Sequence, residues 1–165
     1  MLNDILDKLA EVCVNKKLQI VTAESCTGGL VAKLITDRPG SSQWFERGFI
    51  TYSNLAKEQM LGVNSALLQQ YGAVSEQVAE AMAEGALRQS QTHYALSITG
   101  IAGPDGGTDE KPVGTVCFGW AYLNKDNRTV DSITTTEWFS GDREAIRNQS
   151  AAFALQELSQ LIALS

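Results

Sequence analysis

Three side chains with nucleophilic atoms stand together in the stretch TAESCTGG, residues 22–29, namely Ser25, Cys26 and Thr27. An apolar run precedes them, and the helix-forming LVAKLIT follows Gly28 and Gly29. Open α/β sheets bind ligands where a strand gives way to a helix, and the first N–H groups of a helix have no internal partner. This turn therefore suits a nucleophile beside backbone donors for an oxyanion or a phosphate.

The same turn has a plainer interpretation, in which Thr27 only caps the helix and the two glycines only form a tight turn. The residue types leave the two interpretations equally open. In the functional one, Gly28 and Gly29 let a ligand approach the backbone closely. Neither GxxxxGK[ST] nor GxGxxG occurs in this stretch, so no common nucleotide-binding motif is predicted.

A serine nucleophile needs a base, and the single histidine, His93, falls at the start of a predicted strand, where a structural role is favoured. A neutral lysine is the alternative base. Lys57 falls in the first turn of a helix, where the helix dipole and partial burial both favour loss of its proton. Tyr52 ends the preceding strand and could relay a proton or orient the amine. Taken singly, a solvated lysine and a strand-end tyrosine are the commoner roles.

Two further stretches add candidate donors. SITG, residues 97–100, ends a predicted strand beside a loop with five glycines at 100–114, which is either an active-site rim or a mobile surface loop. Arg143 begins the last helix and could bind a phosphate, or it could pair with Asp142 or Glu144 on the surface. Cys26 is a second possible nucleophile, ranked below Ser25 because no histidine lies near it in the sequence.

Helices and strands alternate along the chain before two strands pair as a hairpin. This order predicts a single α/β domain over residues 1–165, a three-layer α/β/α sandwich with a mixed sheet. The predicted helices are 2–16, 30–36, 55–61, a short one from Asn64 to Gly72, 76–90 and 142–163. The predicted strands are 18–23, 48–52, 93–99 and the hairpin 114–123 and 128–139, joined by residues 124–127.

Composition narrows the possible partners. The net charge of −6 argues against a nucleic-acid surface, which needs positive charge. The chain has no apolar run long enough to span a membrane and no signal peptide. Three cysteines without a CxxC pair fit a reducing cytoplasm, and one histidine makes a zinc site improbable. We therefore expect a cytoplasmic protein with no metal and no cofactor.

Four stretches carry a family resemblance: AESCTGG (23–29), GSSQWFERGFITYSNLAK (40–57), GAVSE (72–76) and SITGIAGPDGGTDEKPVGTV (97–116). They resemble the C-terminal domain of competence/damage-inducible protein A in its stand-alone form, over essentially the whole chain. The resemblance implies hydrolysis of nicotinamide mononucleotide (NMN) to nicotinate mononucleotide and ammonia, in pyridine nucleotide salvage, by a homodimer. No molybdopterin-binding-like domain precedes these motifs, so the activity of that domain is not expected.

The resemblance also implies roles for individual residues. Ser25 is implied as the nucleophile and Lys57 as its base, with Tyr52 as the third catalytic residue. The candidate substrate-binding residues are Thr27, Gly28, Gly29, Ser42, Thr99, Gly100 and Arg143. Two alternatives remain at this point: a catalytically silent nucleotide-binding or regulatory module, and an amidase for another small amide.

Overall fold

The computed structural model describes residues 1–126 and 128–165, which form six α-helices and five strands. The helices are α1 Leu2–Lys16, α2 Leu30–Thr36, α3 Asn54–Leu61, α4 Ser65–Tyr71, α5 Glu76–Gln89 and α6 Arg143–Ala163. The strands are β1 Ile20–Glu24, β2 Phe45–Ile50, β3 Tyr94–Gly100, β4 Thr115–Asn124 and β5 Thr129–Trp138. A turn of 3₁₀ helix covers Ser41–Gln43. Residue 127 of the predicted hairpin connection lies outside the described residues.

The five strands form one sheet in the order β2-β1-β3-β4-β5. β1 is parallel to both β2 and β3, whereas β4 is antiparallel to both β3 and β5. The predicted mixed sheet is therefore confirmed. Glu24, the last residue of β1, is in register with Ile50 of β2 and Ile98 of β3. The carboxyl ends of the three parallel strands thus meet at one edge of the sheet.

Helices cover both faces of the sheet, which confirms the predicted three layers. α1, α2 and α6 pack on one face around Leu9, Ile35 and Leu155, against Ile20 and Phe118 of the sheet. On the other face, α3, α4 and α5 bury their own apolar stripe. The strand IVTAE of β1 is buried at every position, as expected for a parallel strand covered on both sides.

The second strand differs from its prediction. It covers Phe45–Ile50 instead of residues 48–52, because pairing with β1 already begins at Trp44, whose carbonyl accepts from the N–H of Ile20. Thr51 and Tyr52 follow the strand, and their carbonyls turn to the amino group of Lys57. The first and third strands are also shifted by one or two residues, to Ile20–Glu24 and Tyr94–Gly100. These shifts place the ends of the strands at the common edge.

Candidate active site

Ser25 follows β1 directly and is held by the backbone on two sides. Its N–H donates to the carbonyl of Ile98 in β3 at 3.0 Å, and its own carbonyl accepts from Gly28 N–H at 3.1 Å. Gly28 and Gly29 both have positive φ, 61° and 102°, which an L side chain rarely adopts. A Cβ atom on Gly29 would also lie 3.0 Å from Ile50 Cδ1. The two glycines are therefore needed for the turn that presents Ser25.

Lys57 meets Ser25 at this edge. Its Nζ atom lies 2.9 Å from Ser25 Oγ, 3.0 Å from the carbonyl oxygen of Thr51 and 3.1 Å from that of Tyr52. The Lys57 side chain is only 1% exposed. Ser53 caps α3 by accepting from Ala56 N–H, which places Lys57 at the end of the first helical turn. Sequence spacing could not show this meeting, because 32 residues separate the two side chains.

The surroundings of Lys57 favour its neutral form. Burial lowers the pKa of the Lys57 ammonium group below its ordinary value, against a smaller opposing effect of the nearby Cys26. Within the described residues, no carboxylate forms an ion pair with it. A neutral amine has two N–H groups, and these can donate hydrogen bonds to the carbonyls of Thr51 and Tyr52. In that form the lone pair is left for Ser25 Oγ, whose hydroxyl can turn from the Tyr52 carbonyl to donate to it, as a general base requires.

Tyr52 serves this arrangement through its backbone. Its carbonyl oxygen accepts from Lys57 Nζ and, at 3.3 Å, from Ser25 Oγ. The side chain is 61% exposed, and its hydroxyl accepts from Arg143 Nη2 at 3.2 Å. No hydrogen bond in the described chain joins the Tyr52 hydroxyl to Lys57 or Ser25. Both roles predicted for the hydroxyl, proton relay and orientation of the amine, therefore lack a supporting hydrogen bond in the described chain, and the amine is oriented by the Tyr52 carbonyl instead.

Glu24 occupies part of the helix start that was expected to bind an anion. Its carboxylate is 1% exposed and accepts from the N–H groups of Val31, at 2.9 Å, and Ala32, at 3.1 Å. The expectation that these first N–H groups of α2 are free for a ligand is therefore wrong. Sequence reasoning missed Glu24, although a carboxylate next to a helix start is a recognisable signal.

The donors left for a ligand lie in the turn itself. In the described chain, the backbone N–H groups of Cys26, Thr27 and Gly29 have no hydrogen-bond acceptor. The N-cap residue of α2 is Gly29, which has no side chain, and Glu24 accepts from the N–H groups of the first turn instead, so the interpretation of Thr27 as a cap is wrong. Thr27 Oγ1 is buried and, among the described residues, has no hydrogen-bond partner.

Two arginines of α6 reach the same edge. Arg143 donates from Nη1 to the carbonyl of Gly103 at 2.7 Å, in addition to its contact with Tyr52. The alternative of a surface pair with its neighbours is not seen in the described residues, where Asp142 instead caps the helix by accepting from Ala145 N–H. Arg143 also lines a groove of about 550 Å³ together with Leu30 and Arg147. The structure thus brings Arg143 to the rim of the site.

Arg147 was missed in the sequence. Its Nε donates to the carbonyl of Cys26 at 3.0 Å, and its Nη2 donates to that of Thr27 at 3.1 Å. The one available signal was its spacing of four residues from Arg143, which puts both side chains on one face of the helix.

Three other predicted positions have different surroundings. Thr99 is buried and donates its hydroxyl to the carbonyl of Ala73 at 2.8 Å. Gly100 pairs with Val116 in β4, and a Cβ atom there would lie 2.8 Å from Val116 Cγ2, so strand packing alone requires glycine. Ser42 is exposed in the 3₁₀ turn before β2. Because β2 runs parallel to β1, Ser42 lies at the opposite edge from Ser25, and the chain does not bring the two together.

The geometry argues against His93 as the base and against Cys26 as the nucleophile. His93 lies at the amino end of β3, where its Nδ1 accepts from Gln19 N–H at 3.0 Å, so the structural role favoured from sequence is the one observed. Burial raises the pKa of the Cys26 thiol to about 12, which keeps it protonated and unreactive near neutral pH. The ranking of Ser25 above Cys26 is supported by this burial.

The described residues contain neither a group of metal ligands nor a membrane-spanning helix. Across residues 1–126 and 128–165, no three histidine, cysteine, aspartate or glutamate side chains are grouped so that they could hold a metal ion. None of the helices in that part of the chain combines the length and the apolar character needed to cross a membrane.

Comparison with known proteins places this chain in a family. The model of the CinA C-terminal domain matches residues 2–162. A nicotinamide-nucleotide amidohydrolase PncC from Escherichia coli K12 is 60% identical over 141 residues, which cover 86% of this chain and 82% of that protein. The protein of the same name from Pseudomonas putida is 50% identical over 143 residues, covering 87% and 86%. A crystal structure of a CinA superfamily protein from Escherichia coli superposes with a TM-score of 0.90 at 34% identity, covering 98% and 90%.

Proposed function

The chain belongs to the CinA C-terminal domain family, and from this premise we propose that it is a nicotinamide-nucleotide amidohydrolase. Its reaction would convert nicotinamide mononucleotide and water to nicotinate mononucleotide and ammonia. Two relatives that align along most of their length carry that activity in their names. The observation in this chain that carries the proposal is the buried contact of 2.9 Å between Lys57 Nζ and Ser25 Oγ.

The first half of the reaction is acylation of Ser25. Neutral Lys57 takes the hydroxyl proton while Ser25 Oγ attacks the carboxamide carbon of the substrate. The carbonyl π electrons move to oxygen and form a tetrahedral oxyanion. When this intermediate collapses, the C–N bond breaks and the Lys57 ammonium group returns its proton to the leaving nitrogen. Ammonia departs and leaves a nicotinoyl ester on Ser25.

The second half is hydrolysis of that ester. Lys57, neutral again, takes a proton from water as the water oxygen attacks the ester carbon. The bond to Ser25 Oγ then breaks, and the proton held by Lys57 returns to that oxygen. Nicotinate mononucleotide leaves and the free enzyme is restored. One base thus serves both steps, and the residues use no metal or cofactor in this scheme.

Backbone donors stabilise the oxyanion in this proposal. The N–H groups of Cys26, Thr27 and Gly29 are candidates because no acceptor in the described chain occupies them. The loss of one such donor typically lowers kcat about 10²- to 10³-fold. Because Glu24 already binds the next two N–H groups, at Val31 and Ala32, the oxyanion site is confined to the turn.

The phosphate of the substrate is assigned to Arg143. This side chain is exposed, lies against the groove beside α6 and contacts Tyr52 next to the Ser25–Lys57 pair. Guanidinium groups bind phosphate through two parallel hydrogen bonds. Tyr52 offers an exposed ring to the pyridinium cation of the substrate, a contact of the cation–π kind. Thr99 and Gly100 then support the strand end and do not need to touch the substrate.

The assembly and the cellular role remain proposals that depend on the family resemblance. We propose a homodimer in the cytoplasm that acts in pyridine nucleotide salvage and has no nucleic-acid partner. The net charge of −6 supports the last point. Light scattering after size exclusion tests the dimer: a mass near that of one chain, 17.8 kDa, would contradict it.

The test of the reaction is ammonia release from nicotinamide mononucleotide with EDTA present. The wild type, Ser25→Ala and Lys57→Met are compared after circular dichroism has shown that all three are folded. We expect release by the wild type alone. A folded wild type that binds the nucleotide without releasing ammonia would instead indicate a silent binding module. Equally fast hydrolysis of free nicotinamide would indicate an amidase for other small amides and would remove the phosphate assignment.

A further inference from the structure

Arg147 ties α6 to the turn that carries Ser25. Its two donors bind consecutive carbonyl oxygens, Nε that of Cys26 at 3.0 Å and Nη2 that of Thr27 at 3.1 Å. A guanidinium group is planar, so two such bonds fix both the position and the direction of the backbone they hold. The side chain is half-buried, whereas Arg143, one turn earlier in α6, is exposed.

The glycine at position 28 makes this approach possible. A Cβ atom there would lie 3.2 Å from Arg147 Nη2, closer than most side chains can come. Gly28 thus has two functions: it allows the positive φ of the turn, and it leaves room for the guanidinium group. The close packing shows that Arg147 lies against the turn itself.

When Arg147 holds the carbonyl groups of Cys26 and Thr27, it also fixes the directions of the N–H groups of the next residues. In a trans peptide, the C=O of one residue and the N–H of the next point in opposite directions. With the Cys26 carbonyl held by Arg147, the Thr27 N–H is directed away from the guanidinium group. That N–H has no acceptor in the described chain. The Gly28 N–H, directed in the same manner by the Thr27 carbonyl, closes the turn on Ser25.

We propose that Arg147 is a positioning residue for the reaction, which holds the Thr27 N–H where the oxyanion forms and does not itself touch the substrate. The inference depends on the proposed amidohydrolase activity for its kinetic consequences. The hydrogen bonds to Cys26 and Thr27 place the positive charge of Arg147 beside the turn, where it lowers the pKa of the Cys26 thiol, an effect that burial outweighs. A neighbouring cation adds to the stabilisation of a negative intermediate.

The kinetic test compares Arg147→Lys and Arg147→Gln with a matched control, Arg88→Lys. Arg88 also donates to a backbone carbonyl, that of Leu61 at 3.3 Å, but it joins α5 to α3 away from Ser25. We expect kcat to fall about 10- to 100-fold in both Arg147 variants. A Thr27 N–H that is no longer held in place would stabilise the oxyanion less well, so the loss is smaller than for complete removal of a donor. The KM for nicotinamide mononucleotide should stay within about threefold of wild type, because the effect is confined to the transition state. Arg88→Lys should keep the wild-type kcat.

A second measurement needs no nucleotide and separates this inference from the proposed function. A fluorophosphonate reacts with an activated serine, and its phosphoryl oxygen requires the same backbone donors. We expect intact-mass analysis to show labelling of Ser25 in the wild type and the Arg88 control, and labelling about 10-fold slower or more in the Arg147 variants. If the wild type is labelled but releases no ammonia, the proposed amidohydrolase activity is contradicted. The labelling rates of the Arg147 variants would still test the positioning role of Arg147.

Two results would overturn the role of Arg147. One is that the Arg147 variants have the same kcat and labelling rate as Arg88→Lys, which would show that Arg147 only holds the loop to the helix. The other is a raised KM with unchanged kcat, which would make Arg147 a substrate-binding residue.

Discussion

The amino group of Lys57 and the hydroxyl group of Ser25 lie 2.9 Å apart at the carboxyl edge of the sheet. Ser25 lies in the turn between β1 and α2, and Lys57 lies in the first turn of α3. Two backbone carbonyls, those of Thr51 and Tyr52, use the other hydrogen-bonding positions of the amine. A buried lysine without a carboxylate partner favours loss of its proton.

Replacement of Lys57 should abolish activity while the fold is kept. Lys57→Met retains the length of the apolar stem but has no base, and we expect kcat to fall at least about 10³-fold. Lys57→Arg should be as inactive, because a guanidinium group stays protonated. The measurement is ammonia release by variants with a wild-type circular dichroism spectrum. A folded Lys57→Met enzyme with a tenth of the wild-type rate would contradict the role of Lys57.

Activity should rise with pH on the acid side of the profile. Because burial lowers the pKa of Lys57, the neutral form exists in the folded protein at lower pH than in a free lysine. The value of kcat/KM reports the free enzyme and should increase as pH rises through that lowered pKa. A profile that is flat or falling over the whole acid side, up to the ordinary lysine value of 10.5, would be incompatible with a lysine base.

The same group should make stability depend on pH. Between the lowered pKa of the folded state and the ordinary value of 10.5, the unfolded chain binds more protons than the folded one. The free energy of unfolding of the wild type should therefore rise with pH across this window. Lys57→Met lacks this contribution, so its stability relative to the wild type should be greatest at low pH. Urea unfolding at several pH values tests the sign, and a constant difference would contradict it.

Loss of the Glu24 carboxylate should destabilise the protein. In Glu24→Gln, an amide NH₂ group would face one of the two N–H groups that the carboxylate now binds, at Val31 and Ala32. We expect the free energy of unfolding to fall by about 1–3 kcal/mol. The matched control is Asp142→Asn at the exposed start of α6, where asparagine caps equally well. Equal, small losses in both variants would show that burial of Glu24 has no special effect.

Arg143 should discriminate between substrates with and without a phosphate. We expect Arg143→Ala to raise the KM for nicotinamide mononucleotide at least about 10-fold, the effect of losing charge-assisted hydrogen bonds. Turnover of the nucleoside, which has no phosphate, should change far less. Arg47→Ala, a change at an exposed arginine paired with Glu46, serves as the control. Equal effects on nucleotide and nucleoside would remove the phosphate assignment.

The order of helices and strands was predictable because the apolar periodicity is clear, and it sufficed to place Ser25 at a strand end. Residue types and helix position also singled out Lys57. The meeting of the two was not predictable from spacing, since it depends on β1 and β2 being parallel neighbours. The same topology places Ser42, which precedes β2, at the far edge of the sheet from Ser25.

The contacts of Glu24 and Arg147 were not predicted from the sequence, for a related reason. Their partners are backbone groups, which any sequence supplies, and the contacts of Arg147 span about 120 residues. Whether a charged side chain is solvated or holds a loop depends on packing between layers, which periodicity does not report. Two sequence features could have pointed to these residues: a carboxylate beside a helix start, and an arginine four residues from another arginine. Both features are also common where the side chain is solvated.

The most direct test of the account is capture of the acyl-enzyme on Ser25. Wild type mixed rapidly with nicotinamide mononucleotide and quenched in acid should show, by peptide mass analysis, a nicotinoyl mononucleotide ester on the peptide that contains Ser25. The adduct should be absent from Ser25→Ala and from Lys57→Met. An adduct on Cys26, or ammonia release by folded Ser25→Ala, would contradict the assignment of Ser25 as the nucleophile.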